Sequence, residues 1–291
     1  MSRRTTFCLN LAAAACCLAC VPLPAADTTV PVQAPAPVLK HGGGLSFSWV
    51  LPLPEKEYGF RSLDILLYQV SIPGSDQSLA FTTRLFCGTP KGKSVLSFGL
   101  LTNLEGKGKG VLLSRAGEGT LGDTALPPGC GKNEAWTVLS GKDGGAVGVR
   151  RLIYWGPGQY RLRLAARGDD TAGRWYELWL QAGNNLPVLC GAVRVPRGAD
   201  GLYPLILPSG AQSSVEQAPP LPAAEQVPRW RFLIPGVYVN HGRTPVTSVR
   251  YSYGSEADFW PNSNIACSKK GWPIQVQLGA QTERVDPPGG F

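Results

Sequence analysis

Glycine and proline interrupt this chain along its whole length: 36 and 26 of its 291 residues. In a helix interior glycine costs about 1 kcal/mol and proline about 3 kcal/mol relative to alanine, so punctuation this dense excludes long helices. What survives between the breaks is short runs of β-type sequence. Leu45–Leu51, Ile65–Ile72, Leu79–Phe86, Ser94–Thr102, Gln159–Ala166, Trp175–Ala182, Val188–Val195, Arg229–Ile234, Thr247–Tyr253 and Pro273–Gln277 fit this description. Turn residues such as Pro73-Gly74, Pro157-Gly158 and Gly168–Gly173 separate them. Many short strands at such spacing predict an all-β fold, an antiparallel β-sandwich. Helix is expected only as a few turns near Tyr58–Ser62 or Glu216. Eight Trp, nine Tyr and nine Phe are enough to fill a core, which excludes wholesale disorder.

The ends of the chain read differently. Arg3 and Arg4 precede an apolar run from Phe7 to Val21, Asn10 excepted, and small residues follow up to Ala26. This is the pattern of a secretory signal peptide over residues 1–26, too short for a spanning helix of ~20 apolar residues. Its removal takes away two arginines and no acid, so the net charge falls from +8 to +6. The expectation is an exported protein, periplasmic or extracellular. Leu18-Ala19-Cys20 offers a rival processing site, with a lipid anchor at Cys20. Residues 27–44 form a Pro/Gly-rich linker, 45–281 a single sandwich domain with a long loop at 211–228, and 282–291 a flexible tail. No transmembrane segment is expected in the mature chain.

Export carries an expectation for the cysteines. Cys87, Cys130, Cys190 and Cys267 remain after cleavage, an even number compatible with up to two disulfides in any of three pairings. None of them forms a Cys-x-x-Cys pair, so no metal site is expected. The alternative is free, buried thiols, which behave as small apolar groups.

One hairpin can be read to the register. Tyr160–Ala166 and Trp175–Leu180 both alternate apolar with polar or charged residues. A loop centred on Asp170 would pair Leu162 with Leu178 and Leu164 with Tyr176 on the core side. Arg163 would then face Glu177, and Arg161 the Trp179 ring, on the other.

The chemistry legible in the sequence is sparse. Basic residues are scattered rather than striped, so no nucleic-acid partner is expected. There is no Gly-x-Ser-x-Gly elbow, and the only histidines are His41, in the linker, and His241, in a turn-like Asn-His-Gly-Arg stretch. Gly106–Gly110 with its two lysines lacks the spacing of a phosphate-binding loop and reads as a solvated turn. Asp169-Asp170 with Asp123 or Asp143 lacks the spacing of a calcium loop. Neither metal nor cofactor is expected, and no catalytic residue is assigned.

Several segments resemble a family of exported bacterial proteins known as a domain of unknown function, the DUF3472 kind. They are Leu67–Ile72, Arg151–Trp155, Gly158–Leu164, Gly173–Trp179 and Gly191–Pro196, in that order. The resemblance spans residues 45–270 and implies a lectin-type or jelly-roll sandwich with no established catalytic residues.

The functional expectation is a non-catalytic binding module for a carbohydrate or cell-envelope glycan. Trp175 and Trp179 lie on the face opposite Tyr176, Leu178 and Leu180, and Trp155 precedes the neighbouring strand. Their flat rings can stack on sugars while Arg161, Arg163 and Glu177 bond hydroxyls. One alternative is a structural or interaction protein of the envelope without a small ligand. Another is a glycan-directed hydrolase or lyase using Glu177 or another carboxylate. The oligomeric state stays open.

Overall fold

The computed structural model describes residues 44–53, 60–74, 77–89, 92–140, 145–217, 228–253, 263–268, 271–279, 282–284 and 289–290. The expected signal peptide with Cys20, and the linker up to residue 43, lie outside them. Two antiparallel sheets stack face to face. In spatial order, the first contains β18 (Gly289–Gly290), β15 (Ser248–Tyr253), β1 (Leu45–Val50), β12 (Leu205–Gln217) and β3 (Leu79–Thr89). It continues with β4 (Gly92–Leu101), β5 (Gly110–Ala116), β8 (Ala146–Leu152) and β7 (Ala135–Ser140). The second runs β16 (Ser263–Cys267), β17 (Ile274–Leu278), β13 (Trp230–Val239), β2 (Ser62–Ser71) and β9 (Gly158–Asp169). It ends with β10 (Gly173–Ala182), β11 (Val188–Pro196) and β6 (Thr124–Ala125), while β14 (Thr244–Pro245) pairs with β13. Among the described residues the one helical element is a 3-10 turn, Leu121–Asp123. No helix there is long and apolar enough to cross a membrane.

The expected all-β antiparallel sandwich is what the chain forms, and alternation is the reason. In β10, Tyr176, Leu178 and Leu180 are buried while Trp175, Glu177 and Trp179 are half-buried on the other face. Inward residues of both sheets meet in one core: Phe81 of the first lies edge-on to Phe232 of the second, centroids 5.5 Å apart. The expected loop at 211–228 is corrected over its first seven residues, and residues 218–227 lie outside the described ones. Residues 211–217 belong to β12, where Ser213, Ser214 and Thr82 or Thr83 exchange hydroxyl hydrogen bonds with β3. Glu216 is thus in a strand, not a helix. In the expected tail, Gly289–Gly290 pairs with β15.

The hairpin register differs from the expected one by two residues. Leu178 faces Leu164, Leu180 faces Leu162 and Trp179 faces Arg163. The turn is tighter than a loop centred on Asp170: its carboxylate accepts the N–H groups of Ala172 and Gly173 at 2.8 Å, and its own N–H bonds the Gly173 carbonyl. Next to it Gly168, at φ 153°, sits at a bulge, between the pairs Trp175↔Gly168 and Tyr176↔Ala166. A slip of two keeps every side chain on its expected face, because the strand period is two.

The expected disulfides are not formed; Cys87, Cys130, Cys190 and Cys267 are all unbonded. Each fills its own packing site. Cys87 and Cys190 are 0% and 2% exposed in different sheets, and their thiols point at the Ser94 and Val188 carbonyls. Burial pushes both thiols up to about 12, with nearby arginines offsetting part of the rise. Cys130 and Cys267 are half-buried. In native protein a thiol reagent should therefore label Cys130 and Cys267 and reach Cys87 and Cys190 only after unfolding, read by mass spectrometry. Rapid labelling of all four in the native state would contradict this packing.

One end of the sandwich is closed by charge. Arg115 of β5 in the first sheet donates to the Arg194 carbonyl of β11 in the second at 2.9 Å. Asp123, on the 3-10 turn, lies 2.8 Å from Arg194 and 3.7 Å from Arg115. Burial alone would raise the Asp123 carboxyl; the Thr120 N–H and the two guanidinium groups outweigh it and hold the acid below its usual range. A lowered folded pKa contributes stability above the unfolded value, ~3.9, which disappears as pH falls through the folded value. Melting temperature should hold from pH 7 to about 5 and drop below about 4. Asp123→Asn should lower it at pH 7 by about 3 °C and flatten that acid limb. An unchanged limb in thermal melts would show that other carboxylates set it.

Candidate functional site

The outward face of the second sheet carries the polar chemistry, and its register fixes which side chains stand in line. One row across the strands reads Tyr238, Asp64, Arg163, Trp179. Here Arg163 Nε lies 2.6 Å from Asp64 Oδ1, and Asp64 is only 1% exposed. The turn at Asn240–Gly242, all three at positive φ, docks beside this row: the His241 N–H donates to Ser62 Oγ at 2.7 Å. His241 therefore contributes backbone to a turn, as its sequence context suggests. The next row reads Gly236, Leu66, Arg161, Gln181, and the one beyond it Leu233, Tyr68, Gln159. The Gly183 N–H closes that last row on the Gln159 carbonyl.

Apart from Gly236, these two rows, together with Tyr160, Asn184, Pro235, Trp272 and Pro273, line a groove of about 640 Å³. Three aromatic rings shape it. Tyr68 is 40% exposed. Tyr160 is held by the Gly156 N–H on its hydroxyl at 2.9 Å. Trp272 stacks on Trp49, centroids 5.9 Å apart and 9° from parallel, and the Trp49 indole is anchored on Ser213. Gln159, Gln181 and Asn184 add amides, the Gln181 Nε2 already bonded to the Asn185 carbonyl. Arg161 adds one guanidinium. The groove thus offers flat apolar faces beside hydrogen-bonding groups and a single charge, a set suited to binding a polar ring compound. Among the described residues that line it there is no carboxylate. Two-carboxylate glycoside chemistry therefore finds no pair of acids among the described residues of this groove.

The sequence-derived site residues separate into three groups. Arg161 lines the groove. Arg163, Trp175, Glu177 and Trp179 share its face but are engaged with the protein. The Trp179 indole donates to Glu177 at 3.2 Å, Arg167 pairs with Glu177 at 3.3 Å, and the Trp175 indole donates to Asp170 at 2.7 Å. Trp155 is a correction: it is 0% exposed, packed on Trp230 in the core. Crossing from β8 in one sheet to β9 in the other takes the chain past the end of the core, and the indole is drawn in. The adjacent Tyr154 takes the outside position at 88% exposure.

Two further clusters resolve into structure rather than sites. Asp123 and Asp170 are indeed brought together, but around the guanidinium of Arg194, which bonds both. Asp143 lies outside the described residues. In the glycine-rich turn, Lys107 lies 4.1 Å from the Trp136 ring centroid and Lys109 5.3 Å from that of Trp155, so both ammonium groups rest on indoles.

Tyr68, Gln159, Tyr160, Gln181, Asn184 and Trp272 were not legible as a site. Gln181 and Tyr68 continue the outward parity of strands that the alternation already defines. No sequence signal joins Trp272 to them.

No family model matches the chain, and no curated protein does. Among solved structures, SCP-B, a member of the Eqolisin family of peptidases in complex with the tripeptide Ala-Ile-His, matches at TM-score 0.40 and 7% identity, over 81% of this chain and 96% of that one. Scytalido-glutamic peptidase with a transition state analog inhibitor matches at TM-score 0.42 and 8% identity, over 81% and 98%. The marine PL-14 alginate lyase from Aplysia kurodai matches at TM-score 0.29 and 12% identity, over 55% and 69%. Likenesses this distant leave the chemistry of the site to the chain's own residues.

Proposed function

We propose that this chain is an exported glycan-binding module and that the groove along β2, β9 and β13 is its ligand site. The observation that carries this reading is the company of Tyr68, Tyr160 and Trp272 with Gln159, Gln181, Asn184 and Arg161 in one open groove of about 640 Å³. Aromatic planes cover the apolar face of a sugar ring, and amides and guanidinium satisfy its hydroxyls. Export rests on the basic-apolar-small pattern of residues 1–26, with cleavage after Ala26, or lipid attachment at Cys20, as the alternatives that intact mass of the processed protein separates.

The test is a glycan array followed by titration. Tyr68→Ala and Trp272→Ala should each weaken binding at least about tenfold, the scale of ~1.4 kcal/mol for one stacking ring. Leu139→Ala, on β7 of the other sheet, should bind as wild type. Absence of binding to every glycan on the array would overturn the reading.

A further inference from the structure

We infer that the groove selects an acidic glycan, one bearing ring carboxylates, and that Arg161 is the residue that recognises the carboxylate. This deepens the glycan-binding reading and rests on it. The argument is the distribution of charge over one face. Arginines on and around this face are mostly neutralised by the protein's own acids: Arg163 by Asp64, Arg167 by Glu177, Arg174 by Asp169, and Arg194 by Asp123 and Asp170. Arg161 is different. It is exposed, makes no ion pair among the described residues, and is the one charged side chain among the described residues lining the groove.

The setting of that charge matters. Arg161 stands between Leu66 and Gln181 in its row, one row from Tyr68. On the other side of Tyr68, Arg231 pairs across to Ser71, is also exposed and makes no ion pair among the described residues. Two guanidinium groups without an ion pair among the described residues thus lie on either side of an exposed ring, their partner positions on β2, Leu66 and Ser71, five residues or about 17 Å apart along the strand. A neutral glycan would offer both only hydroxyl oxygens and no counter-charge. A polymer with regularly placed carboxylates offers each a planar two-oxygen partner matching the guanidinium fork.

The experiment compares polygalacturonate, its carboxyl-reduced neutral form and a sulfated galactan, titrated by calorimetry against the full mature chain. Wild type should bind the polyuronate at least tenfold more tightly than the reduced polymer, and this ratio should shrink as salt rises from 20 to 300 mM. Arg161→Gln should bring the ratio close to one, Arg161→Lys should restore part of it, and Arg231→Gln should lower it less. Unchanged melting temperatures of the variants establish that the fold is retained. Equal affinity of wild type for the acidic and reduced polymers would overturn the inference while the groove reading stands. So would tighter binding of the sulfated galactan, or an Arg161→Gln variant with an unchanged ratio. Failure of all three polymers, and of the wider array, would instead overturn the groove reading itself.

Discussion

Trp230→Ala should be among the most destabilising single substitutions in this protein, costing about 4 kcal/mol in urea unfolding. Trp230 is 0% exposed. Its ring packs between Trp155, at 6.1 Å, and Phe232, at 5.2 Å, and Phe232 in turn meets Phe81 of the opposite sheet. Truncation therefore opens a cavity where the two layers are joined, and packed neighbours collapse into such a space only in part. A second cost is polar. The Trp230 indole donates to Gln69 Oε1 at 2.8 Å, and Gln69 is 1% exposed. Without that donor a buried carboxamide oxygen loses its partner, a penalty of about 1–3 kcal/mol. Trp230→Phe should lose less of the packing but the same hydrogen bond, and fall between wild type and alanine. A loss under about 1 kcal/mol for Trp230→Ala, with an unchanged m-value, would show that this aromatic chain does not hold the sheets together.

Arg163→Met should cost about 3 kcal/mol, and Asp64→Leu combined with it should recover most of the loss. Asp64 is 1% exposed, and its carboxylate has Arg163 at 2.6 Å and the Ser62 hydroxyl at 3.3 Å. Removing the cation leaves a buried anion without its counter-charge, which costs far more than the intact pair contributes. The Arg163 side chain keeps 28% exposure, which places the figure at the lower end of the range for buried pairs. Replacing both partners removes the stranded charge, and apolar side chains of similar volume fit the row beside Leu66 and Trp179. Urea unfolding of the two singles and the double gives the coupling directly. Additive losses, with no recovery in the double variant, would show that Asp64 is stabilised by other groups. Since Arg163 stands one row from Arg161, the same variants would report whether this ion pair holds the groove wall in place.

Much of the fold was legible because strand alternation is a local signal. Tyr176, Leu178 and Leu180 point inward and Trp175, Glu177 and Trp179 outward, as their order along the chain requires. The register of that hairpin was not legible to the residue. It depends on the hydrogen bonds of one aspartate at the turn and on a bulge at Gly168, and a two-residue slip leaves the alternation pattern unchanged. The cysteines show a different limit. An even count in a chain whose sequence predicts export permits disulfides, but pairing requires two thiols to be brought together, and here they occupy separate sites in the packing.

The candidate site was half visible. Arg161 was singled out from its own strand, whereas the groove also draws on β2, on β13 and on Trp272, far apart along the chain. The indoles that stood out in sequence turned to the protein's own acids or, in Trp155, to the core.

What the amino-acid sequence determined alone is the class of fold and the side of each strand that faces the core. Glycine and proline spacing excludes long helices, and a period of two assigns faces without knowledge of any partner. Strand order, the pairing of Asp64 with Arg163 and the groove between Tyr68 and Trp272 were decided only in three dimensions. They arise where distant segments lie side by side, and the free energy that selects those neighbours comes from burial shared between them, which no single segment carries.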